Sequence, residues 1–331
     1  MRWLCGIVGV LFFLTLSGCG EHHQSILDPR SPEAREIANL WWVMFWVCSV
    51  VFVAVVWFLF AAIFGKVGSQ PPGGPLRFVV AGGIILPAVV LIGFLIYSLR
   101  VAILISAPDD GLVIEVDGHQ WWWAVRYPEQ GIVTANEIHI PARERVQFQL
   151  RAHDVIHSFW VPNLHGKLDM LPETTTTIWI QAEEPGVWRG QCAEFCGTQH
   201  ALMAFEVVAH APEDFERWVA ARQAAAANTA EVPEQGARLA HGKAAFFRHG
   251  CHDCHAIRGT DAVSNIGPDL THLANRRTLG AATIANNRGN LAGWIANPQG
   301  IKPGNLMPPT YLESDELHAL VDYLLTLDDA P

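Results

Sequence analysis

Two clusters in the 331-residue chain carry residue types and spacings that could do chemistry. The first is Cys192-Ala193-Glu194-Phe195-Cys196-Gly197-Thr198-Gln199-His200-Ala201-Leu202-Met203. It sets two thiols four residues apart, an imidazole four further on and a thioether three after that. Soft donors crowded into one turn select copper over hard cations. Another segment must close such a site. His157, in His153-Asp154-Val155-Ile156-His157-Ser158-Phe159-Trp160, is the best candidate, while composition alone leaves His153 and His165 open. A single-copper blue site needs one Cys, so the second thiol argues against it. A Cys192–Cys196 disulfide is the competing use in an oxidising compartment, and the His and Met at ligand spacing weigh against it. Met170, the other Met of this stretch, reads as packing.

The second cluster is Cys251-His252-Asp253-Cys254-His255, the attachment spacing of a c-type haem. Two thiols add to the haem vinyl groups and the adjacent His ligates iron. A zinc or redox Cys-x-x-Cys would need a second Cys pair or a thioredoxin-like context, and neither is present. The second axial ligand must be a thioether or an imidazole. Met307, in Asn305-Leu306-Met307-Pro308-Pro309, competes with His272 and His318 for that place. No nucleophile or acid–base pair stands out elsewhere, so the chemistry of this chain reads as electron transfer.

The elements that position these clusters begin at a membrane. The chain is 50% hydrophobic and 16% charged, against about a quarter charged in ordinary globular proteins. Its net charge of −10 and lack of a basic patch exclude nucleic acid as partner. Residues 1–18 read as a signal peptide, with Arg2 ahead of an apolar run from Trp3 to Leu16. Leu16-Ser17-Gly18-Cys19 resembles a bacterial lipobox, which implies lipidation of Cys19; the alternative is an ordinary signal peptide with a chance Cys. An outer arm follows at 19–39, then a hairpin at 40–106. Leu40–Phe64 and Phe78–Leu99 are 25 and 22 residues without a charge, each long enough to cross about 30 Å of hydrocarbon as a helix. Pro87 and Gly82-Gly83 are tolerated in such a setting. Lys66 and Arg77 without an acid suit a cytoplasmic loop, but Arg30 and Arg35 sit in the outer arm, so the signal peptide decides the orientation. No Asp or Glu occurs from Ile37 to Pro108, so the hairpin offers no carboxylate for moving protons.

From 107 to 210 the pattern changes to short strand-like runs. They are Leu112–Val116, Val146–Leu150, Thr177–Ile180 and Phe205–Val208, and they suggest an antiparallel sandwich or barrel. A helix and an Ala-rich linker occupy 211–237. The haem segment at 238–331 reads as helical, with helices before the Cys pair and from Glu313 to Leu327.

At the Cys-x-x-x-Cys-x-x-x-His-x-x-Met loop, over roughly residues 30–210, the chain resembles subunit II of the haem–copper oxygen reductases. The resemblance implies an all-β cupredoxin-like Greek-key barrel holding a dinuclear copper centre, CuA. Cys192 and Cys196 would bridge the coppers, His157 and His200 would each bind one, and Met203 and the Glu194 carbonyl would be weaker ligands. The Glu194 side chain would reach magnesium at the contact with subunit I. His119-Gln120-Trp121-Trp122-Trp123 is similar to the family's aromatic segment, which implies that Trp121 receives electrons; three Trp covering a barrel edge is the plainer reading. Gly267-Pro268-Asp269-Leu270 and the Met-Pro pair resemble small bacterial cytochromes c of all-α fold, which implies Met307 as the distal ligand. Many relatives carry an acid near the start of the second helix, whereas Val80 and its neighbours are apolar.

Lipobox, two spans, copper domain and cytochrome c domain together resemble subunit II of the caa3-type cytochrome c oxidases. The implied role is to pass electrons from soluble cytochrome c or another donor to haem c, then to copper, then to haems in subunit I. There oxygen would be reduced to water with proton translocation. The implied partners are subunit I, subunit III and membrane lipid, and the implied place is the bacterial inner membrane with both metal domains on the periplasmic face. The equivalent subunit of a nitric oxide reductase and a lipid-anchored copper-binding protein are the alternatives; a quinol oxidase subunit would lack the copper ligands. The odd count of seven cysteines then leaves no disulfide. Cys5 is in the leader, Cys19 takes lipid, Cys48 lies in a span and the other four serve the two centres. His255→Ala is expected to abolish the c-type absorbance and keep the copper band; persistence of both bands would refute the haem assignment.

Overall fold

A computed structural model describes residues 24–65, 74–106, 111–223 and 233–328. The signal peptide, Cys19, the loop residue Lys66 and most of the Ala-rich linker lie outside the described residues. Helix α1, Pro32–Ile63, starts well before Leu40. Ser31 caps it, its Oγ accepting from the Ala34 amide at 2.9 Å, with Pro32 at the first helical position. Helix α2 runs Pro75–Ile105 and contains one π turn, Ala81–Ile85. Pro87 has no N–H to donate and Gly82-Gly83 costs little to distort, so the ladder widens there, with Leu86 N–H reaching the Ala81 carbonyl.

The helices have 32 and 31 residues, about 48 and 46 Å at 1.5 Å per residue. Both exceed the ~30 Å hydrocarbon core, so their ends project into the aqueous layer. Val50, Phe52 and Leu91 stay mostly exposed along the apolar stretch, as suits contact with lipid or another subunit. The first turns of α1 do the opposite. Ala34 and Ala38 are buried, Ser31 Oγ donates to the Leu164 carbonyl, and Arg145 Nε meets Glu33 Oε1 at 3.1 Å. Arg145 also donates to the Ile105 carbonyl at the end of α2, 3.2 Å away. One side chain thus ties both spans to the outer domain.

That domain is a sandwich of two five-stranded sheets, ordered β3-β2-β1-β5-β8 and β4-β10-β9-β6-β7. The strands are β1 Val113–His119, β2 Trp122–Tyr127, β3 Ile132–Ala135, β4 Glu137–Pro141, β5 Val146–Ala152, β6 His157–Trp160, β7 Leu168–Met170, β8 Thr176–Ile180, β9 Gly186–Cys192 and β10 Ala204–His210. Most pairs are antiparallel, as expected, but β1 pairs with β5 in parallel, and β10 with β4. The chain crosses from one sheet to the other at Asn136, which separates β3 from β4. Trp123, Phe148, Phe159 and Phe205 fill the core, Phe159 and Phe205 stacking at 4.6 Å. Helix α3, Pro212–Gln223, lays Trp218 against Tyr127 and His139.

The C-terminal domain packs α4, Pro233–Arg248, across the last helix, α7, Ser314–Leu324. Phe246, Leu320, Val321 and Leu324 are buried between them. The domain also holds the short helices α5, Arg288–Ala296, and α6, Pro298–Ile301. Beside its helices it carries a short hairpin, β11 Thr278–Leu279 paired with β12 Ile284–Ala285, strands too short to show as alternation in sequence.

Arg145→Ala would leave the Glu33 carboxylate buried without its partner. It is expected to destabilise the solubilised protein by about 3–5 kcal/mol in denaturant unfolding; a loss below about 1 kcal/mol would mean that water screens the pair.

Candidate metal and haem sites

The copper-type donors come from two neighbouring strands and the loop after one of them. His157 opens β6 and Cys192 ends β9, and the strands pair at Phe159 and Cys192. The loop 193–203 leaves β9 and returns as β10. Its neck is closed by the Cys192 N–H donating to the Met203 carbonyl at 2.8 Å. Gly197, at φ +114°, turns the chain inside the loop, and a Cβ there would lie 3.0 Å from the Trp121 ring.

Inside the loop Cys192 Sγ and Cys196 Sγ stand 3.7 Å apart. That separation excludes a disulfide, whose S–S bond is about 2.05 Å. Two metal–sulfur bonds of about 2.3 Å, the zinc–thiolate length, span it at a near-tetrahedral angle. His157 Nδ1 lies 3.8 Å from Cys192 Sγ, His200 Nδ1 3.7 Å from Cys196 Sγ and Met203 Sδ 3.8 Å from Cys196 Sγ. The Glu194 carbonyl is 3.2 Å from Cys192 Sγ. Ligand atoms of His157, Cys192 and Cys196 all lie within 4.8 Å of one another. All six residues expected from the resemblance converge, and the donor set fits copper. His153 and His165 do not join them. His153 is exposed with its ring on His119, and His165 is buried beside the Gly166 carbonyl. Met170 is core.

The electrostatics prepare the ligands. Burial alone would lower His157, but the Cys192 sulfur and Asp154 outweigh it and raise its pKa. Its Nε2 meets Asp154 Oδ1 at 2.8 Å, which leaves Nδ1 turned toward the sulfurs. Asp154 also accepts from the Gln120 amide at 2.7 Å; these bonds overcome burial and keep its pKa below the usual carboxylate range. The two sulfurs share a hydrogen bond, and their contact holds one thiol, Cys192, well below the usual thiol range and pushes the other, Cys196, far above it. The Glu194 carboxylate is half-exposed and paired with Lys167 at 3.3 Å.

Trp121 connects this loop to the second domain. Its Nε1 and Gln120 Nε2 both donate to the Cys196 carbonyl, at 3.0 and 2.8 Å. Its own carbonyl accepts from Lys302 Nζ at 3.0 Å. Trp122 instead stacks on His119 and Trp123 is core.

In that second domain Cys251–Asp253 form one 3-10 turn, with the His255 amide bonded to the Cys251 carbonyl at 3.0 Å. Both thiols are free. His255 Nδ1 bonds to the Pro268 carbonyl at 2.7 Å, leaving Nε2 for iron. Burial lowers the ring's pKa, keeping it neutral, as a ligand must be. Gly267 provides the room: a Cβ there would lie 2.8 Å from the His255 ring. Met307 is half-buried on a loop fastened by Gln299 Nε2 to its carbonyl at 3.0 Å and by its amide to Asn305 at 2.9 Å. Of its rivals, His318 is exposed on α7, while His272 is buried. This half of the chemistry also fits its group.

Comparison with known proteins places the chain in a family. The family described as "Cytochrome C oxidase subunit II, periplasmic domain" matches residues 130–210, and "Cytochrome c" matches 239–328. The chain is 35% identical to cytochrome c oxidase subunit 2 of Alkalihalophilus pseudofirmus, covering 96% of this chain and 95% of that one. The chain belongs to the cytochrome c oxidase subunit 2 family. Subunit 2 of Bacillus subtilis is 31% identical over 98% of this chain and 97% of its own length. The solved periplasmic domain of subunit II from Bradyrhizobium japonicum is 28% identical, covers 35% of this chain and 96% of its own length, and has a TM-score of 0.34. A subunit II with a cytochrome c domain implies the CuA copper centre and haem c as cofactors.

Sequence reasoning passed over Asp154, Gln120 and Lys302. Asp154 precedes His157 by three residues, a visible spacing, but only the ring orientation shows that it holds the Nε2 proton. Asp154→Ala is expected to weaken copper affinity by about 10–100-fold with the sandwich still folded; an unchanged affinity in chelator competition would remove Asp154 from this role.

Proposed function

We propose that the chain is the subunit through which electrons enter a cytochrome c oxidase, and that its residues would hold haem c and a dinuclear copper centre on the route from an external donor to the haems of subunit I. The convergence of His157, Cys192, Cys196, His200 and Met203 on one largely buried pocket carries the reading. The copper pair and the haem, when bound, supply one-electron redox chemistry. The protein's part is to hold their ligands rigid and dry.

Cys192, Cys196, His157 and His200 would hold the coppers, the two imidazoles through Nδ1, with Met203 and the Glu194 carbonyl as weaker ligands. Asp154 keeps a proton on His157 Nε2, so the ring cannot turn its other nitrogen to the metal. The buried wall of Trp123, Phe159 and Phe205 excludes water behind the thiols. Cys251 and Cys254 would attach the haem, and His255 and Met307 would ligate its iron. Trp121 receives the electron at the copper loop, in keeping with its bond to the Cys196 carbonyl. The half-exposed Glu194 carboxylate suits a magnesium ion that takes its remaining ligands from subunit I.

The domains are a leader at 1–18, an outer arm at 19–39, a hairpin at 40–106, the copper domain at 107–210, a linker at 211–237 and the haem domain at 238–331. Lipid on Cys19 and the two spans anchor the chain in a bacterial inner membrane, with both metal domains on the periplasmic face. Subunits I and III are the partners, and subunit I reduces oxygen with proton translocation.

The test is the purified complex, with metal analysis, redox spectra and oxygen consumption measured together. Two coppers and one haem c in this chain, with oxygen uptake lost when it is deleted, are expected; uptake indifferent to its deletion would overturn the reading. Met307→Ala should keep the covalent haem and lower its reduction potential, because a Met ligand raises it. An unchanged potential in spectropotentiometry would transfer the ligand role to His272.

A further inference from the structure

Besides Arg258, whose Nη1 donates to the Arg222 and Gln223 carbonyls at the end of α3 at 3.0 and 3.2 Å, the haem domain rests on the copper domain through two segments. One is the β11–β12 hairpin tip, where Ala281 and Ala282 adopt φ of 60° and 55°. The left-handed region is uncommon for a residue with a Cβ, and here it aims the tip's carbonyls outward. The Ala281 carbonyl accepts from the Ala204 amide at 3.3 Å, and the Ala282 carbonyl from Arg189 Nη1 at 2.8 Å. Glu137 Oε1 accepts from the Arg277 and Thr278 amides at 2.6 and 3.1 Å.

The second segment is the loop that carries Met307. Lys302 leaves it and is buried, with 2% of its surface exposed. Its Nζ donates to the Trp121 carbonyl at 3.0 Å on the copper domain and to the Gly280 carbonyl at 3.1 Å on the hairpin. A cation is costly to bury without such partners. One of the two carbonyls recorded here belongs to the other domain, so separating the domains would strip the ammonium of that partner. Burial lowers its pKa to about 8. A lysine placed there for stability of the haem domain alone would have no need to cross the interface.

The connectivity gives this cross-link its meaning. Lys302 lies five residues before Met307. Trp121 bonds to the carbonyl of Cys196. The chain of contacts therefore runs from the Met307 loop through one ammonium and one tryptophan into the copper loop.

We propose that Lys302 is a positioning residue for transfer of one electron from reduced haem c to the oxidised copper centre, locking the Met307 loop onto Trp121. It touches neither metal. No bond is made and no proton moves; the ferrous haem loses the electron that the copper pair gains. The proposal rests on the electron path proposed above.

The test uses the intact oxidase with Lys302→Met, which keeps the length of the stem and removes the ammonium, and with the milder Lys302→Gln. Two readouts are taken. Transfer from flash-reduced haem c to copper should slow by about tenfold or more, on the scale at which displacements of about 1 Å act, and should become dependent on solvent viscosity because docking now limits it. The haem c and copper spectra should stay unchanged. Hydrogen exchange, which needs no electron transfer, should quicken in segments 120–123, 277–283 and 302–305. Wild-type transfer rate, viscosity independence and exchange in Lys302→Gln with both centres intact would overturn the proposal. If haem c and copper do not exchange electrons even in the wild type, the path fails and the positioning role fails with it. Quickened exchange in the variants would then leave Lys302 as a structural clasp only.

Discussion

Two sulfur atoms must be kept close enough to share metals and too far apart to bond to each other. The rest of the outer part of this molecule depends on that constraint. The Cys192–Cys196 separation of 3.7 Å satisfies it, and a loop alone would not hold it against oxidation. The backbone does so. Cys192 belongs to β9, locked between β6 and β10, while Cys196 sits in a loop whose carbonyl is gripped by two side chains, Gln120 and Trp121. The closed neck at Cys192 and Met203 then brings the thioether back to the thiol it must neighbour. Asp154 performs the same service for His157 by setting which nitrogen faces inward.

The same economy of anchoring recurs at the membrane side. The apolar faces of α1 and α2 contribute no chemistry of their own, and their outer ends are fixed to the sandwich by Ser31, Glu33 and Arg145. A membrane helix that ended at its apolar limit could not do this. The additional turns from Pro32 onward reach the β-domain and set its position over the hairpin.

Much of the site was legible because its chemistry is local in sequence. Cys192, Cys196, His200 and Met203 share one loop, and Cys251, Cys254 and His255 share one turn, so residue type and spacing alone announce soft-metal and haem chemistry. The long apolar runs were equally plain, since a span needs about 20 apolar residues in succession. The strands were harder. β2 is hidden in the run Trp121-Trp122-Trp123, β9 contains Gly186 and Gly190, and the parallel pairings of β1 with β5 and β4 with β10 join segments remote in sequence.

By itself, then, the sequence determined the inventory: two spans, a sulfur-rich loop, a haem motif and their order along the chain. Those depend on composition and short spacing, which the covalent chain carries directly. The sequence offered His157 and, by resemblance, Trp121; only the tertiary structure set His157 Nδ1 against Cys192, bonded Trp121 to the Cys196 carbonyl and buried a lysine of the haem domain against Trp121. Each of those is a contact across long sequence separation. It exists because strand pairing and domain docking bring the groups within hydrogen-bond reach, and no local pattern encodes that distance.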